Sequence, residues 1–499
     1  MSTISPVIEL DMNWHTPFFP TLRPALAPLG SRTTGALHQA RSYTLCQLEA
    51  HLGSCLPQDL FPKAAGKENS RDCIYTRLRT FWCMLWQSFN PQASGREVVR
   101  QLQALFQLQG GPQISEEDGA YCRARARLPL DEFPKALSAT AHAAQKRARP
   151  STSLQGRPTK VVDGSTLTLS DTPKNRAAYP PFQSIGPSFP MMRIVVIFSL
   201  LTGAILQLAC GNSSSADLPL LGSLLNQLVR GDIVVADRGF GNFIMLAVLQ
   251  SLKLELDFIG RSARRVDGRK RLKRLGRNDW LQTWKKTSNP SLWLPRPSWA
   301  ALPQELVVRV IRGSLYQKGF RVRQVTLVTT LLDWQRYPAQ EILQAYLHRW
   351  RLEMCLDDLK TTLQMEMLRS RSPDMAQKEI YARLIGHNLV RCIMAQAAKQ
   401  GDVPLERISF KGTLDALRQF TQAMSQAPSG KKRRQLWQEL LRTLAADLLP
   451  DRSGRREPRA VKRQKRKYPR LSRPRSNFRD RPKTSVRRTK SRLRRLVLM

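Results

Sequence analysis

Two short apolar runs, each followed by an aspartate, constrain the fold of this chain more than any other feature. The run Lys160–Val162 leads into Asp163, and the run Ile233–Ala236 leads into Asp237. Such short β-branched runs are typical of strands buried on both faces of an α/β sheet. Because ligands and catalysis gather at the carboxyl ends of these strands, both aspartates are candidate functional residues. The alternative is that each aspartate merely begins a turn, as is common near glycine.

The segments around these aspartates alternate between strand and helix patterns. Strand patterns occur at Arg193–Phe198, Ala204–Ala209 and Leu254–Ile259, and helix patterns occur at Leu218–Val229 and Phe243–Leu252. Gly203 predicts a turn between the first two of these strands. Strands followed by a strand–helix–strand unit predict an α/β sheet.

Changes in composition divide the rest of the chain. The stretch 261–330 combines basic residues, tryptophans and β-rich runs, and the tail 451–499 holds 21 Arg or Lys against three acids. That tail has too few apolar residues to bury, so we predict it to be disordered. We predict a flexible Pro-rich arm at 1–35, a helical N-terminal DNA-binding region at 36–142, a basic linker at 143–158, the first part of the core at 159–260, a basic β-rich insertion at 261–330, the second part of the core at 331–400, a helical C-terminal region at 401–450 and the basic tail at 451–499.

The charge of the chain points to a polyanionic partner. Lys and Arg number 81 against 38 Asp and Glu, a formal net charge of +43. An excess of this size is relieved by nucleic acid, and an acidic membrane surface is the rival partner. The longest apolar run, 194–210, is short for a membrane span and is broken by polar residues and Gly203. The eight cysteines form no CxxC pair, so we expect a reducing cytosol with neither disulfides nor a zinc site.

A third candidate carboxylate lies on the helix predicted to begin at Ala339. Tyr346, Arg349, Glu353 and Lys360 fall within a wedge of roughly 60° at about 100° per residue. The neighbouring apolar stripe consists of Leu352, Leu356, Leu359 and Leu363. We expect that stripe to pack on the sheet and the polar wedge to lie off the core face. The alternative is a solvated helix face with ordinary i,i+4 charge neighbours.

Three converging carboxylates would suit divalent cations. Hard oxygen ligands hold Mg²⁺ or Mn²⁺ while waters remain bound. Two such ions about 4 Å apart support in-line phosphoryl transfer. In a chain as basic as this one, an acidic cluster without metal would only repel itself.

The spacing Tyr346-x2-Arg349-x3-Glu353-x6-Lys360 resembles the Y-R-E-K signature of the insertion sequence four family of bacterial DDE transposases. The segments 161–165 and 231–240 also resemble the two catalytic aspartate segments of that family. The resemblance covers about residues 70 to 467. It implies an α/β fold with a ribonuclease H-like catalytic core, a β-rich insertion, and helical N-terminal and C-terminal regions.

The resemblance also implies roles for individual residues. Asp163, Asp237 and Glu353 would be the catalytic triad and would hold two Mg²⁺ ions, for which Mn²⁺ can substitute. Tyr346, Arg349 and Lys360 would hold phosphates near the scissile bond. A tryptophan of the insertion would stack on a flipped base, and Trp284 is our candidate, with a place in the core of the insertion as the alternative. Relatives often carry a glutamate after the position of Gly211, and Asp217 is the nearest acid here.

The function implied is cut-and-paste transposition. The enzyme would bind double-stranded DNA at the terminal inverted repeats, cleave it, form a hairpin and join the element to target DNA. Two ends handled together imply a homodimer, and the expected location is the bacterial cytoplasm, in association with DNA and without membrane contact. The alternatives are a non-catalytic DNA-binding protein derived from a transposase and a ribonuclease H-like nuclease without strand transfer.

Overall fold

The computed structural model describes most of the middle of the chain. The described residues are 52–62, 74–108, 113–181, 189–212, 215–262, 266, 271–288, 290, 293–314, 324–427 and 429–450. The side chains of residues 350–353, which include Glu353, lie outside this description. The Pro-rich arm and the basic tail predicted from the sequence also lie outside the described residues.

Nine strands of the described residues form one sheet. Its strands are β1 (Thr159–Thr168), β2 (Met191–Ser199), β3 (Ile205–Asn212), β4 (Ile233–Ala236), β5 (Asp257–Arg261), β6 (Lys273–Gly276), β7 (Asp279–Lys285), β8 (Glu305–Gly313) and β9 (Val325–Thr329). They lie in the order β3-β2-β1-β4-β5-β9-β8-β7-β6. The first three strands pair antiparallel, and β4 and β5 run parallel to β1. This is the arrangement of a ribonuclease H-like core, and the predicted α/β fold is confirmed.

The β-rich insertion extends this sheet and does not form a sheet of its own. Strand β9 pairs antiparallel with β5, and β8, β7 and β6 follow in antiparallel order. The insertion and the core therefore share one continuous ladder of backbone hydrogen bonds.

Helices cover both faces of the sheet. They are α1 (Arg77–Phe89), α2 (Gly95–Leu108), α3 (Gly119–Arg127), α4 (Glu132–Arg147), α5 (Pro173–Ala178), α6 (Asp217–Gly222), α7 (Phe243–Ser251), α8 (Arg296–Ala300), α9 (Ala339–Asp357), α10 (Pro373–Gly401), α11 (Phe410–Gln426) and α12 (Gly430–Ala446). The long helix α10 packs against α1 and α4 from the N-terminal region and against α11 and α12 from the C-terminal region. The helical regions on either side of the core therefore pack together through α10. None of the described helices is long and apolar enough to cross a membrane.

Two hydrophobic clusters fill the space on the two sides of the sheet. Val161 and Val235 belong to the cluster that also holds residues of α9 and α10. Val162 and Val234 belong to the cluster that holds α7 and the buried tryptophans of the insertion. Side chains of a strand alternate between its faces, so each strand contributes to both clusters. Each fully buried Val, Leu or Ile contributes about 1.5–3 kcal/mol.

The predicted turn at Gly203 is confirmed, and two predicted elements are shorter than expected. Gly203 lies between β2 and β3 with φ +68°, a conformation that favours glycine. The helix predicted over Leu218–Val229 ends as α6 at Gly222, against which the ring of Trp293 packs. The strand predicted from Leu254 begins only at Asp257, because Glu255 has φ +52° and cannot join the sheet.

Candidate active site

Asp163 and Asp237 lie side by side on neighbouring parallel strands, where the pairing of β1 with β4 ends. Asp163 lies within β1, which continues to Thr168, and Asp237 directly follows β4. Val162 of β1 is paired with Ala236 of β4, and each aspartate directly follows one member of this last pair. Adjacent strands lie about 4.8 Å apart. Both aspartates are partly buried, and Asp163 Oδ1 accepts a hydrogen bond of 2.9 Å from the backbone of Gly164. The sheet thus brings together two acids that are 74 positions apart in the chain.

The helix α9 brings a tyrosine to one of these acids. The helix packs against β4 and β5, and the side chain of Tyr346 is fully buried at 0% exposure. Its hydroxyl donates to Asp237 Oδ1 at 3.4 Å. Burial raises the pKa of Tyr346 to about 12, the charge of Asp237 adds to the shift, and Arg349 and Arg261 oppose it. The hydroxyl therefore keeps its proton at neutral pH and acts as a donor.

Arg349 lies close to the ring of this tyrosine. Its guanidinium carbon is 5.5 Å from the centre of the Tyr346 ring, and the residue is only 5% exposed. The prediction that the polar wedge lies off the core face is therefore wrong for these two residues. The reason is that Tyr346 reaches Asp237 of the sheet and belongs to the same hydrophobic cluster as Leu356, Leu359 and Leu363. Leu356, Leu359 and Leu363 of that stripe are buried as predicted.

The start of α9 is held by both parts of the sheet. Arg309 of β8 donates to the carbonyl of Tyr337 at 2.7 Å, two residues before the helix. In the first turn of α9, the carboxylate of Glu341 accepts a hydrogen bond from the backbone of Leu154. These contacts fix the helix relative to β1 and β8, and so fix the position of Tyr346.

Glu353 belongs to α9, four positions after Arg349 and seven after Tyr346. Seven residues correspond to nearly two full turns, about 10 Å along the axis. This repeat places position 353 on the same side of the helix as Tyr346. The side chain of Glu353 lies outside the described residues.

Lys360 lies beyond the regular helix. The α-helical part of α9 ends at Asp357 and continues as a π-helical turn, Asp358–Thr362. The hydrogen bond from the Leu363 backbone to the carbonyl of Asp358, at 2.9 Å, closes this wider turn. The spacing of 100° per residue used to predict the wedge therefore does not hold between Glu353 and Lys360. Single π-helical turns are frequent at functional sites.

Trp284 has the environment of a core residue. It lies on β7, is 4% exposed and belongs to the hydrophobic cluster of the insertion. A ring packed in this way has no open face for a base. The structure therefore favours the alternative reading, in which Trp284 stabilises the insertion.

Asp217 approaches β1 from the other face of the sheet. A side chain at Gly164 would lie 3.0 Å from the Asp217 carboxyl carbon. Gly164 follows Asp163 and therefore faces the opposite side of the strand. Asp217 also accepts from Arg193 of β2 at 3.2 Å. It is thus an ion-paired neighbour of the strand end and lies away from Tyr346.

The donor set of this corner fits a divalent cation. Two carboxylates meet where the pairing of β1 with β4 ends, and carboxylate oxygens are the ligands that Mg²⁺ prefers. In the described part of the chain Asp237 forms no salt bridge with Lys or Arg, and its recorded partner is the hydroxyl of Tyr346. The described side chains contain no group of three His, Cys, Asp or Glu that could hold a metal, and Glu353 is not among them.

Arg261 is a nearby residue that sequence reasoning missed. It ends β5, the strand next to β4, and it is close enough to Tyr346 to lower the pKa of that residue. The available signal was its position, because it follows a buried strand in the same way as the two aspartates.

Comparisons with known proteins agree with this geometry. Residues 154–389 match the family described as Transposase DDE domain. The chain is 25% identical over 398 residues to the transposase InsG for insertion sequence element IS4 of Escherichia coli (strain K12), covering 78% of this chain and 85% of the relative. These two findings support an insertion sequence four family DDE transposase. The matched domain contains both aspartates, the whole insertion and the Y-R-E-K helix of this transposase.

A solved structure of another transposase is also similar. It is the cryo-EM structure of the piggyBac transposase synaptic complex with hairpin DNA, which is 12% identical with a TM-score of 0.37, covering 84% of this chain and 83% of that chain. The DDE transposases act on DNA as metal-dependent enzymes that cleave it and transfer strands.

Proposed function

We propose that Asp163, Asp237 and Glu353 are the catalytic and metal-binding triad of this DNA transposase. The observation that carries the proposal is the pairing of β1 with β4, which sets Asp163 beside Asp237. Helix α9 packs against β4 and carries Glu353 on the side of Tyr346. These contacts support a shared site where the pairing of β1 with β4 ends and α9 packs beside it.

The residues around the triad position the reacting groups. Tyr346 donates to Asp237 and keeps its proton, so it holds that carboxylate in one orientation. Arg349 supplies fixed positive charge beneath the tyrosine, and Lys360 supplies a point charge for phosphate from the π-helical turn. Two Mg²⁺ ions, for which Mn²⁺ can substitute, would supply an activated water and stabilise the leaving oxygen.

The reaction proceeds by successive in-line substitutions at phosphorus. Water first attacks the phosphate at the element end, and the strand is cut with release of a 3′-hydroxyl. That hydroxyl attacks a phosphate of the opposite strand, forms a hairpin on the element end and displaces the 3′-hydroxyl of the flanking DNA. A second water opens the hairpin and regenerates the 3′-hydroxyl. This hydroxyl then attacks a phosphate of target DNA, joins the element to its 5′ side and displaces the 3′-hydroxyl of the target strand.

The partners follow from the charge and the reaction. Double-stranded DNA at the terminal inverted repeats and at the target is the substrate, and the net charge of +43 favours binding of its phosphates. Two ends must be cut together, so the active form is a homodimer on paired ends. The N-terminal helices recognise the ends, and the protein works on DNA in the bacterial cytoplasm.

The triad is tested by neutral substitutions with a matched control. Asp163→Asn, Asp237→Asn and Glu353→Gln should each abolish Mg²⁺-dependent cleavage of duplex DNA that carries the terminal repeat. Binding of the same duplex in metal-free buffer should persist. Glu366→Gln, which changes an exposed acid outside the site, should cleave like the wild type.

Two outcomes would contradict the proposal. Cleavage at the wild-type rate in any of the three variants would remove that residue from the mechanism. Cleavage by the wild type without joined products on a target plasmid would leave a nuclease that does not transfer strands.

A further inference from the structure

A short connector, residues 363–370, links the π-helical turn that carries Lys360 to helix α10. The chain reverses at Gln364, which has φ +51°. The backbone of Met365 then donates to the carbonyl of Leu359 at 2.9 Å, and the side chain of Met365 is fully buried. The connector is thus folded back onto the π-helical turn, directly beside Lys360.

The connector also pairs with β1, the strand that carries Asp163. The backbone of Thr168 donates to the carbonyl of Glu366 at 3.0 Å, and the backbone of Leu368 donates to the carbonyl of Thr168 at 2.8 Å. These two bonds form a parallel bridge between Thr168 and Met367. Because Thr168 is the last residue of β1, the end of the Y-R-E-K helix is attached to the same strand as Asp163.

An ion pair on α10 holds both ends of the connector. Arg383 pairs with Glu379 at 2.6 Å, one helical turn away, and also donates to the carbonyl of Leu363. Glu379 Oε2 accepts a hydrogen bond from the backbone nitrogen of Ser370 at 3.1 Å and another from its hydroxyl at 2.6 Å. Leu363 and Ser370 are the first and last residues of the connector, so a single ion pair fixes its two ends.

The helix behind this ion pair is firmly held. Helix α10 has 29 residues and packs against α1, α4, α11 and α12. Arg383 is 7% exposed, and each of its two terminal nitrogens donates a hydrogen bond. A buried arginine without its carboxylate partner is an uncompensated charge. Loss of the Glu379 carboxylate would therefore release both ends of the connector.

Lys360 is the residue whose position depends on these contacts. It lies between Leu359 and Leu363, whose carbonyls accept hydrogen bonds from Met365 and Arg383. In the described part of the chain Lys360 forms no salt bridge. The backbone on either side of Lys360 therefore sets where its ammonium group can reach.

We propose that Glu379 and Arg383 are positioning residues that hold Lys360 at the phosphate that is cut. This inference rests on the proposed function, since it assumes that Lys360 contacts phosphate at the site of the triad. A displacement of about 1 Å, caused by a change far from the chemistry, can slow a reaction about hundredfold. The ion pair thus acts on the rate of cleavage and leaves DNA affinity nearly unchanged.

The first test measures single-turnover cleavage by the full-length protein over a range of concentrations of duplex DNA that carries the terminal repeat. Glu379→Gln keeps the shape of the side chain and removes its charge. The maximal rate should fall about tenfold to hundredfold, while the DNA concentration at half the maximal rate changes less than about twofold. A maximal rate equal to that of the wild type would overturn the inference.

Helix α10 offers a matched control in a second ion pair, Asp374 and Lys378. The two side chains lie 2.7 Å apart at i,i+4, and the buried Lys378 donates to the backbone carbonyl of Ala126 in α3 at 2.9 Å. Asp374→Asn therefore breaks a pair of the same kind on the same helix, away from the connector, and should cleave DNA at the wild-type rate. Equal slowing in Asp374→Asn and Glu379→Gln would show a general loosening of α10 and would overturn the inference.

A double-mutant cycle tests whether the ion pair acts through Lys360. Glu379→Gln should slow cleavage in the wild-type background and have no further effect in Lys360→Ala, because coupled residues are not additive. Multiplied losses in the double variant, or a wild-type rate in Lys360→Ala, would overturn the inference. Ser370→Ala removes one hydrogen bond to Glu379 and should show the same dependence on Lys360 with a smaller loss, so it decides the question if Glu379→Gln fails to fold.

The outcomes separate this inference from the proposed triad. Abolished cleavage in Asp163→Asn, together with multiplied losses for Glu379→Gln and Lys360→Ala, would overturn the inference and leave the triad. Wild-type cleavage in Asp163→Asn, together with non-additive losses for Glu379→Gln and Lys360→Ala, would overturn the triad and support the positioning of Lys360.

Discussion

The sheet of this transposase contains two carboxylates near buried arginines, Asp279 and Asp237. One is bound by its arginine and the other is not. In the insertion, both oxygens of Asp279 accept hydrogen bonds from Arg309, at 2.9 and 2.6 Å. Arg309 is fully buried, and its remaining nitrogen donates to two backbone carbonyls. In the catalytic corner, Asp237 is held by the hydroxyl of Tyr346 at 3.4 Å and forms no salt bridge within the described residues.

The difference distinguishes a carboxylate that holds the fold from one that is kept for chemistry. A buried pair with every donor satisfied has no capacity left to bind a ligand. A partly buried carboxylate with a single long hydrogen bond retains free lone pairs for a cation. A buried arginine beside an acid therefore does not by itself indicate a functional site. What distinguishes the two cases is whether the carboxylate oxygens remain available to bind a cation.

The largest expected effect concerns the structural carboxylate, Asp279. Asp279→Asn leaves Arg309 buried without its counter-ion and should lower the free energy of unfolding by about 3–5 kcal/mol. Asp237→Asn should change it by about 1 kcal/mol or less, while it abolishes cleavage. Urea unfolding and single-turnover cleavage of both variants check the contrast. Equal losses of stability in the two would show that Asp237 also has a structural role.

An intermediate case lies at the end of the Y-R-E-K helix, in Asp358. Burial raises the pKa of this residue from 3.8 to about 7, Asp357 adds to the shift, and Arg391 opposes it. The folded chain therefore keeps a proton that the unfolded chain has lost between about pH 4 and pH 7. The contribution of Asp358 to stability thus falls as the pH rises through this range and is constant above it.

Asp358→Asn tests this second effect. The variant should gain stability over the wild type as the pH rises from 5 to 7, by about 2 kcal/mol, with a further gain of only a few tenths of a kcal/mol at pH 8. Urea unfolding at each pH gives the difference, and Asp447→Asn, which changes an exposed acid, is the control. A difference that does not depend on pH would show that Asp358 is charged throughout.

The smallest expected effect concerns the hydroxyl that contacts the catalytic carboxylate, Asp237. Tyr346→Phe keeps the buried ring and removes the hydroxyl that donates to Asp237. A net hydrogen bond contributes about 0.5–1.5 kcal/mol, and this one is long. Cleavage should slow by up to about tenfold in single turnovers, with little change in thermal stability. A wild-type rate would show that the hydroxyl does not position Asp237.

The sequence is sufficient to predict the parts of the site that depend on local patterns. The apolar runs before Asp163 and Asp237 identify the strands, and both runs are buried in the sheet. Gly203 identifies the turn, since the chain there needs a positive φ. The fixed spacing of the Y-R-E-K residues identifies the helix that packs beside the second strand.

The features that local patterns could not predict depend on contacts between distant segments. Tyr346 and Arg349 are buried because α9 packs against the sheet. The periodicity of a single helix carries no information about that packing. Asp279 and Arg309 are 30 positions apart, and only the pairing of β7 with β8 brings them together.

The two edges of the long sheet have consequences for how copies of this protein meet. Helices α4 and α10 pack against the outer strand β3, whereas β6 at the other edge is short and exposes Lys273 and Arg274. An unpaired edge invites strand addition from a second chain, and basic side chains on the edge oppose it. Aggregation through β6 is therefore disfavoured.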